Sequence, residues 1–468
     1  MIHIAIPTFQ TFTERYDSHK KYHVYDLHIN GAYHASVRYS TLYALHEKLL
    51  ETFGMRLDTA EFPPKRIWRN LDTEGAIKRK DGLVKYFKSV LQNQDIARHP
   101  IFEKTFLEFQ VSSFMPAVSG VKLEIFLPDG RAIHIDCRSD DSTDIVLRKI
   151  GSFLNVSLSF IHCFGLFLVR PRLKKEGRTI EQGFDHICIR WLKNFESPFI
   201  SHQLSNRDLD DNTLHYELGI RRAVWDPCLE EPLLDDQGSL DLLYTQAKND
   251  IERGLIRVNP NVEAKLKNLE EQGLLRQYIH LCHQQLDYGY EYVPSTNMDF
   301  PKKNSNCVVK VGRHQLVIEY EDNDNLCQHV IRSTRIRVWK VSQNDETKEM
   351  TFQVEYLADR ETFQEITMFT SKSVLLALFL QSVANEILKE SNGRLTPVFT
   401  FDDEVPTRVI EALNNIETRQ SSYATMEEDM CSVNSVKNAD QISSLFKVIS
   451  RQMPFENESF EHITNADL

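Results

Sequence analysis

No stretch of this chain is apolar for long enough to cross a bilayer. The longest strongly apolar run, VLLALFL at 374–380, falls far short of the roughly 20 residues a spanning helix needs, and Lys372, Glu386 and Lys389 stand close by. It reads as a buried helix. The opening residues, MIHIAIPTFQ, hold no basic start followed by a sustained apolar core and a small-residue cleavage site, so no secretory leader is expected. Paired cysteines are missing: eight lie scattered at 137, 163, 188, 228, 282, 307, 327 and 431, without a CxxC or a zinc-type histidine spacing. They read as reduced thiols on the cytosolic side, mostly small core residues. The sequon-like Asn155-Val-Ser and Asn457-Glu-Ser then read as chance. Catalytic signatures are missing too, with no glycine-rich phosphate loop, no HExxH and no GxSxG. Asp140-Asp141 and Glu427-Glu428-Asp429 lack partnered metal-ligand spacing. The expectation is a protein without enzymatic activity, metal or cofactor.

A cationic excess is also missing, because the 468 residues carry a formal charge of −12. The deficit is uneven. Residues 1–110 hold 16 Lys and Arg against 13 Asp and Glu, whereas the remainder holds 39 against 54. A basic module on an acidic body argues against nucleic acid as the partner, and the basic patch is too small to track a duplex. A compact anion at a membrane surface suits it better. What the chain does have is 41% apolar and 10% aromatic content, enough for real cores, over a length of about three domains.

Residues 22–38, YHVYDLHINGAYHASVR, alternate as two strands about Asn30-Gly31, a strong hairpin signal. Ser40 precedes a helix with Leu42, Leu45, Leu49 and Phe53 on one stripe. A proline-rich loop, FPPKRIWRN at 62–70, leads into a second helix over about 75–91. That helix buries Leu83, Phe87 and Leu91 and leaves Lys78, Lys80, Lys85 and Lys88 largely solvated. This gives a small α+β domain over 1–112. Beyond 121, KLEIFLPDGRAIHID reads as a hairpin turning at Pro128-Asp129-Gly130, followed by a helix with Val146, Ile150 and Phe153 on one face. FGLFLVR and HICIRWL add strands, a ββαβ order of ubiquitin-like type over 118–205. Residues 206–293 read as a helical lobe carried by LDLLYTQAKNDIERG, PNVEAKLKNLEEQG and LLRQYIHLCHQQLDYGY. Over 294–392 a period of two returns in VVKVGRHQLVIEY, TRIRVWKVS, EMTFQVEYLA and FQEITMFT, closed by a helix from about Ser371 to Lys389. That pattern suggests a small barrel or sandwich of phosphotyrosine-binding or pleckstrin type. The tail, 393–468, is acidic and poor in apolar residues, so most of it is expected to be disordered.

Arg38-Tyr39-Ser40 marks the change from strand to helix, where a helix start beside a guanidinium suits a phosphate. Arg38 could hold the phosphate in a bidentate contact, Ser40 could add a hydroxyl, and Tyr39 could stack on a sugar-like ring. The plainer alternative is a solvated arginine beside a helix cap. Taken together, VRYS, FPPK and Arg79, four residues before Leu83, make this region resemble the phox-homology domain of the sorting nexins. The resemblance implies that Arg38 holds a 3-phosphate, Tyr39 packs on the inositol ring, Lys65 meets the 1-phosphate and Arg79 the ring hydroxyls. Ile67 and Trp68 lie on the loop that would face the bilayer, where an indole is at home, unless Trp68 folds back into the core.

FGLFLVR, DLLYTQAKNDIERG, RIRVWKV and LQSVANEIL extend the similarity to the sorting nexin 17-like branch. Its architecture is a phox-homology domain followed by an atypical FERM module of ubiquitin-like, helical and phosphotyrosine-binding-like lobes. In that branch the third lobe takes NPxY or NxxY signals of transmembrane cargo as an added strand. The residue matching the groove tryptophan is Trp339, with Ile366, Met368, Phe379 and Val383 as its partners; as an ordinary strand aromatic, Trp339 would be core. Ala384 and Glu365 depart from the branch, which has a larger aliphatic and an apolar residue there. The terminal FENESFEHITNADL resembles the branch's end, implying that Phe460, Asp467 and Leu468 engage the retriever part of the Commander assembly. The bland alternative is an inert solubilising end. The resemblance thus implies an endosomal cargo adaptor on the cytosolic face of early and recycling endosomes. It would bind phosphatidylinositol 3-phosphate and divert cargo from lysosomal degradation to recycling. The alternative is a FERM linker between membrane and cytoskeleton with non-selective anionic-lipid binding.

Overall fold

Asn30 and Gly31 both adopt left-handed backbone, with φ of 50° and 82°, as a tight two-residue hairpin turn requires. They join the strands Asp17–Ile29 and Ala32–Arg38. The computed structural model describes residues 2–14, 17–57, 61–65, 73–114, 118–171, 186–207, 209, 215–323, 325–343, 349–359, 362–391 and 455–456. A strand the sequence pattern does not single out, Phe9–Glu14, pairs with Asp17–Ile29 and completes the first sheet with the short Ile4–Ala5. The helices Tyr39–Phe53, Thr73–Gln92 and Pro100–Phe114 belong to the same unit. They bury the expected stripes, Leu42, Leu45 and Leu49 on one and Leu83, Phe87 and Leu91 on the next. Lys80 and Lys88 are half-buried rather than solvated, and burial lowers the Lys88 ammonium below its ordinary value.

The second sheet has five strands, in the order Ala132–Cys137, Val121–Phe126, Glu217–Arg222, Phe164–Pro171, His186–Trp191. The helix Thr143–Leu154 packs with it. The central strand is a correction to the domain reading, which assigned everything from 206 to a helical lobe. Glu217–Arg222 pairs in parallel with Val121–Phe126 and antiparallel with Phe164–Pro171, so the ubiquitin-like lobe reaches at least to Arg222. Phe153 is a second correction. It is 58% exposed, because the helix ends one residue later and Leu154 is the side chain that packs on the core. The helices Gln237–Glu252, Pro260–Glu271 and Leu275–His283 follow as the helical lobe.

Seven strands between Tyr290 and Phe369 form the last lobe, closed by the helix Ser373–Ser391. This helix is buried almost all round because two lobes enclose it. One side meets its own sheet, while Phe379 packs in an aromatic cluster with Trp225, Trp191 and Phe167 of the ubiquitin-like lobe, at centroid distances of 5.3, 6.1 and 6.4 Å. The Trp225 indole N–H donates to Ser382 Oγ at 2.8 Å, and Glu386 accepts from the backbone N–H groups of Trp225 and Asp226.

The first domain is docked as firmly. Phe195, from the ubiquitin-like lobe, lies inside the first domain's core, 6.1 Å from Phe106 and 6.1 Å from His34. Gln110 bridges the same interface, accepting from the Ser197 N–H at 2.7 Å and donating to Ser201 Oγ at 3.0 Å.

Candidate lipid and peptide sites

The strand Ala32–Arg38 runs directly into the helix Tyr39–Phe53, with Arg38 as the N-cap residue and no side chain capping the helix. Ser40 therefore lies inside the first turn rather than ahead of it. Tyr39 is the hub of the cluster. Its hydroxyl donates to the Pro63 carbonyl at 2.7 Å, which ties the proline loop to the helix start. The Arg79 guanidinium carbon lies 4.5 Å from the centre of its ring. Pro63 is held from behind by the helix Thr73–Gln92, where a Cβ at Gly82 would come within 2.8 Å of the Pro63 ring, so only glycine permits the approach. Lys65 follows, exposed, with its ammonium 5.7 Å from the Tyr43 ring. Arg79 and Lys65 thus meet neighbouring rings, Tyr39 and Tyr43, whose centroids lie 6.2 Å apart, and Arg38 directly precedes Tyr39; Arg38, Tyr39, Lys65 and Arg79 span 42 positions of sequence. Ile67 and Trp68 lie outside the described residues.

Two aromatic contacts in this cluster escape a reading of motifs. Arg38 lies over Tyr22 on the neighbouring strand, and Tyr43 stands beside Lys65. The available signal for Tyr22 is strand parity. Val24 pairs with Arg38, and a residue two positions away projects from the same face.

In the last lobe, Trp339, Val354 and Ile366 lie opposite one another across three strands, and Val341, Phe352 and Met368 form the next row. All are buried, with Val383 and Ala384 of the helix in the same core. The structure therefore brings Trp339, Ile366, Met368 and Val383 together. It places Phe379 elsewhere, on the helix side that meets Trp225, because that junction needs a large aromatic filler. The Trp339 indole N–H is buried and finds no acceptor among the described residues. Glu365 is exposed and pairs across the sheet with Glu355, a like-charge opposition eased by the Arg337 to Glu355 ion pair.

The strand Ile336–Gln343 ends the seven-stranded run and would present a free edge. Instead it receives an eighth strand, Phe455–Glu456, from the chain's own tail. The addition is antiparallel, with Trp339 opposite Phe455 and Val338 opposite Glu456. These two residues depart from the disordered reading of 393–468. The rest of that tail, including Phe460, Asp467 and Leu468, lies outside the described residues.

Family models match most of the chain between residues 25 and 388. They are the PX domain over 25–110, the sorting nexin 17/27/31 FERM F1 lobe over 121–225, the sorting nexin 17/31 FERM F2 lobe over 226–285 and the sorting nexin 17 FERM C-terminal domain over 289–388. Sorting nexin-17 of Danio rerio is 28% identical over 412 residues, 84% of this chain and 82% of that protein. The human sorting nexin-17 is equally identical over 410 residues, 84% and 83% of the two chains. Human sorting nexin-31 is 25% identical over 397 residues, 82% of this chain and 86% of its own.

The chain is a sorting nexin of the 17/31 branch. Membership gives it the role of an endosomal sorting adaptor, with a phosphoinositide-binding first domain and a cargo-tail-binding FERM-like module. The F1 match to 225 agrees with the sheet in assigning Glu217–Arg222 to the ubiquitin-like lobe. No helix among the described residues of this sorting nexin is long and apolar enough to cross a membrane, and none of its described side chains cluster as metal ligands.

Proposed function

We propose that this sorting nexin is a non-enzymatic adaptor that reads two ligands at once on the cytosolic face of early and recycling endosomes. The first is phosphatidylinositol 3-phosphate. Arg38 takes the 3-phosphate beside the uncapped helix start, Ser40 adds its hydroxyl, Lys65 takes the 1-phosphate, Arg79 the ring hydroxyls, and Tyr39 packs on the ring. The observation that supports this most is Tyr39, which follows Arg38, carries Arg79 over its ring and is hydrogen-bonded to the proline loop that leads to Lys65. Ile67 and Trp68, on the same loop, enter the interface.

The second ligand is an NPxY or NxxY segment of a transmembrane protein, added to the edge of Ile336–Gln343 above Trp339, Ile366, Met368 and Val383. The pairing of the tail strand Phe455–Glu456 on this edge supports the reading. Cargo must displace that strand, and the freed tail then offers Phe460, Asp467 and Leu468 to the retriever part of Commander, directing cargo to recycling.

Flotation with phosphatidylcholine vesicles carrying either phosphatidylinositol 3-phosphate or phosphatidylserine tests the first ligand. Preference for the 3-phosphorylated lipid, lost in Arg38→Ala and Lys65→Ala, is expected. Equal binding to both lipids would favour a FERM linker that senses bulk negative charge instead. For the second ligand, an NPxY peptide titration should lose affinity in Trp339→Ala, and undiminished affinity would remove Trp339 from the site.

A further inference from the structure

Arg38 is exposed, yet it is not free to wander. Its guanidinium carbon lies 3.4 Å from the centre of the Tyr22 ring, well inside the roughly 6 Å at which cation and ring attract. Strand register fixes the contact. Val24 pairs with Arg38 across the hairpin Asp17–Ile29 and Ala32–Arg38, and Tyr22, two residues earlier, projects from the same face. Phe12 pairs with Tyr22 from the other neighbouring strand, and the two rings stack with centroids 5.8 Å apart and 24° between their planes. Phe12, Tyr22 and Arg38 thus lie together across three strands, and Phe12 and Tyr22 stand outside the motifs that mark Arg38.

An exposed arginine ordinarily spreads over many rotamers, and ordering it on binding lowers affinity. A guanidinium already lying flat on a ring has lost most of that freedom before the ligand arrives, while its N–H edge stays open for a phosphate. We propose that Tyr22 is a positioning residue for Arg38, holding the guanidinium by its face so that its edge meets the phosphate of an inositol headgroup. This rests on the phosphoinositide reading of Arg38. Tyr22 itself touches no ligand, and its ring, not its hydroxyl, does the holding.

The test uses the full chain and vesicles of phosphatidylcholine with phosphatidylinositol 3-phosphate, compared with phosphatidylcholine with phosphatidylserine. Tyr22→Phe should bind like the parent. Tyr22→Leu should bind the 3-phosphorylated vesicles about three- to five-fold more weakly and the phosphatidylserine vesicles unchanged. In an Arg38→Gln background, Tyr22→Leu should have no further effect, as expected for two residues acting through one contact. Equal losses in both backgrounds, or a loss shared by the phosphatidylserine vesicles, would overturn the assignment and leave Tyr22 a structural residue. Arg38→Gln leaving binding intact would instead remove the phosphoinositide reading itself, and the proposal with it. Should Tyr22→Leu fail to fold, Tyr22→Thr, a strand former without a ring, provides the same comparison.

Discussion

Arg38, Lys65 and Arg79 come from a strand end, a loop and a helix. Removing a charged hydrogen-bonding partner costs about 1.5–3 kcal/mol. Arg38→Gln should therefore weaken binding to 3-phosphorylated vesicles by at least tenfold, and Lys65→Ala by a similar factor, both read by co-sedimentation. The candidate lipid-site residues could be named from sequence because VRYS, FPPK and Arg79 resemble a family pattern in order. Tyr22 and the Gly82 clearance beneath Pro63 could not, since both depend on which elements meet in space. The first domain also carries two histidines with an expected pH signature. Burial pushes His28 down to about 4 and His34 down to about 3, with the His34 Nε2–H donating to the Phe106 carbonyl at 2.8 Å. The folded state resists their protonation, so their contribution is fully present above about pH 6.5 and is lost progressively as pH falls toward these values. At pH 5 the loss is about 2 kcal/mol for each. Thermal melts from pH 7 to pH 5 should show a falling midpoint, less steep in His34→Gln, and an equal slope in that variant would discount His34.

The element that most changes the account is a strand of two residues. Phe455–Glu456 pairs on the edge beside Trp339, the edge proposed above for the cargo peptide. A version ending at residue 391 should bind an NPxY peptide several-fold more tightly than the full chain, measured by fluorescence anisotropy. Equal affinities would mean that the tail strand does not compete. This pairing was illegible because composition describes residues 393–468 as a whole, whereas pairing depends on two residues meeting one edge. Glu217–Arg222 was missed for a related reason. Six residues containing a glycine and two arginines carry little strand signal of their own, and only insertion between Val121–Phe126 and Phe164–Pro171 makes them a strand. The hairpin at Asn30-Gly31 and the helical stripes were legible because turn chemistry and helical period are local.

At the scale of the whole molecule, Phe195 and Trp225 lock the lipid-reading domain and the peptide-reading lobe to the same ubiquitin-like lobe. No sequence pattern links Phe195 to Phe106 or Phe379 to Trp225, which is why Phe379 was expected in the groove and is found at a lobe junction. Phe195→Ala should destabilise the domain contact by about 3–5 kcal/mol and split a single thermal transition into two. A single unshifted transition would deny that the domains are coupled through this side chain. Rigid coupling also bears on function, because two modest sites held in a fixed relation act together when both ligands lie on one surface. The decisive measurement is recruitment of the full chain to vesicles carrying phosphatidylinositol 3-phosphate, a membrane-anchored NPxY peptide, or both. Binding to the doubly decorated vesicles should exceed the better single case by about tenfold or more and collapse to the peptide-only level in Arg38→Gln. Recruitment no stronger with both ligands than with one would contradict the adaptor reading.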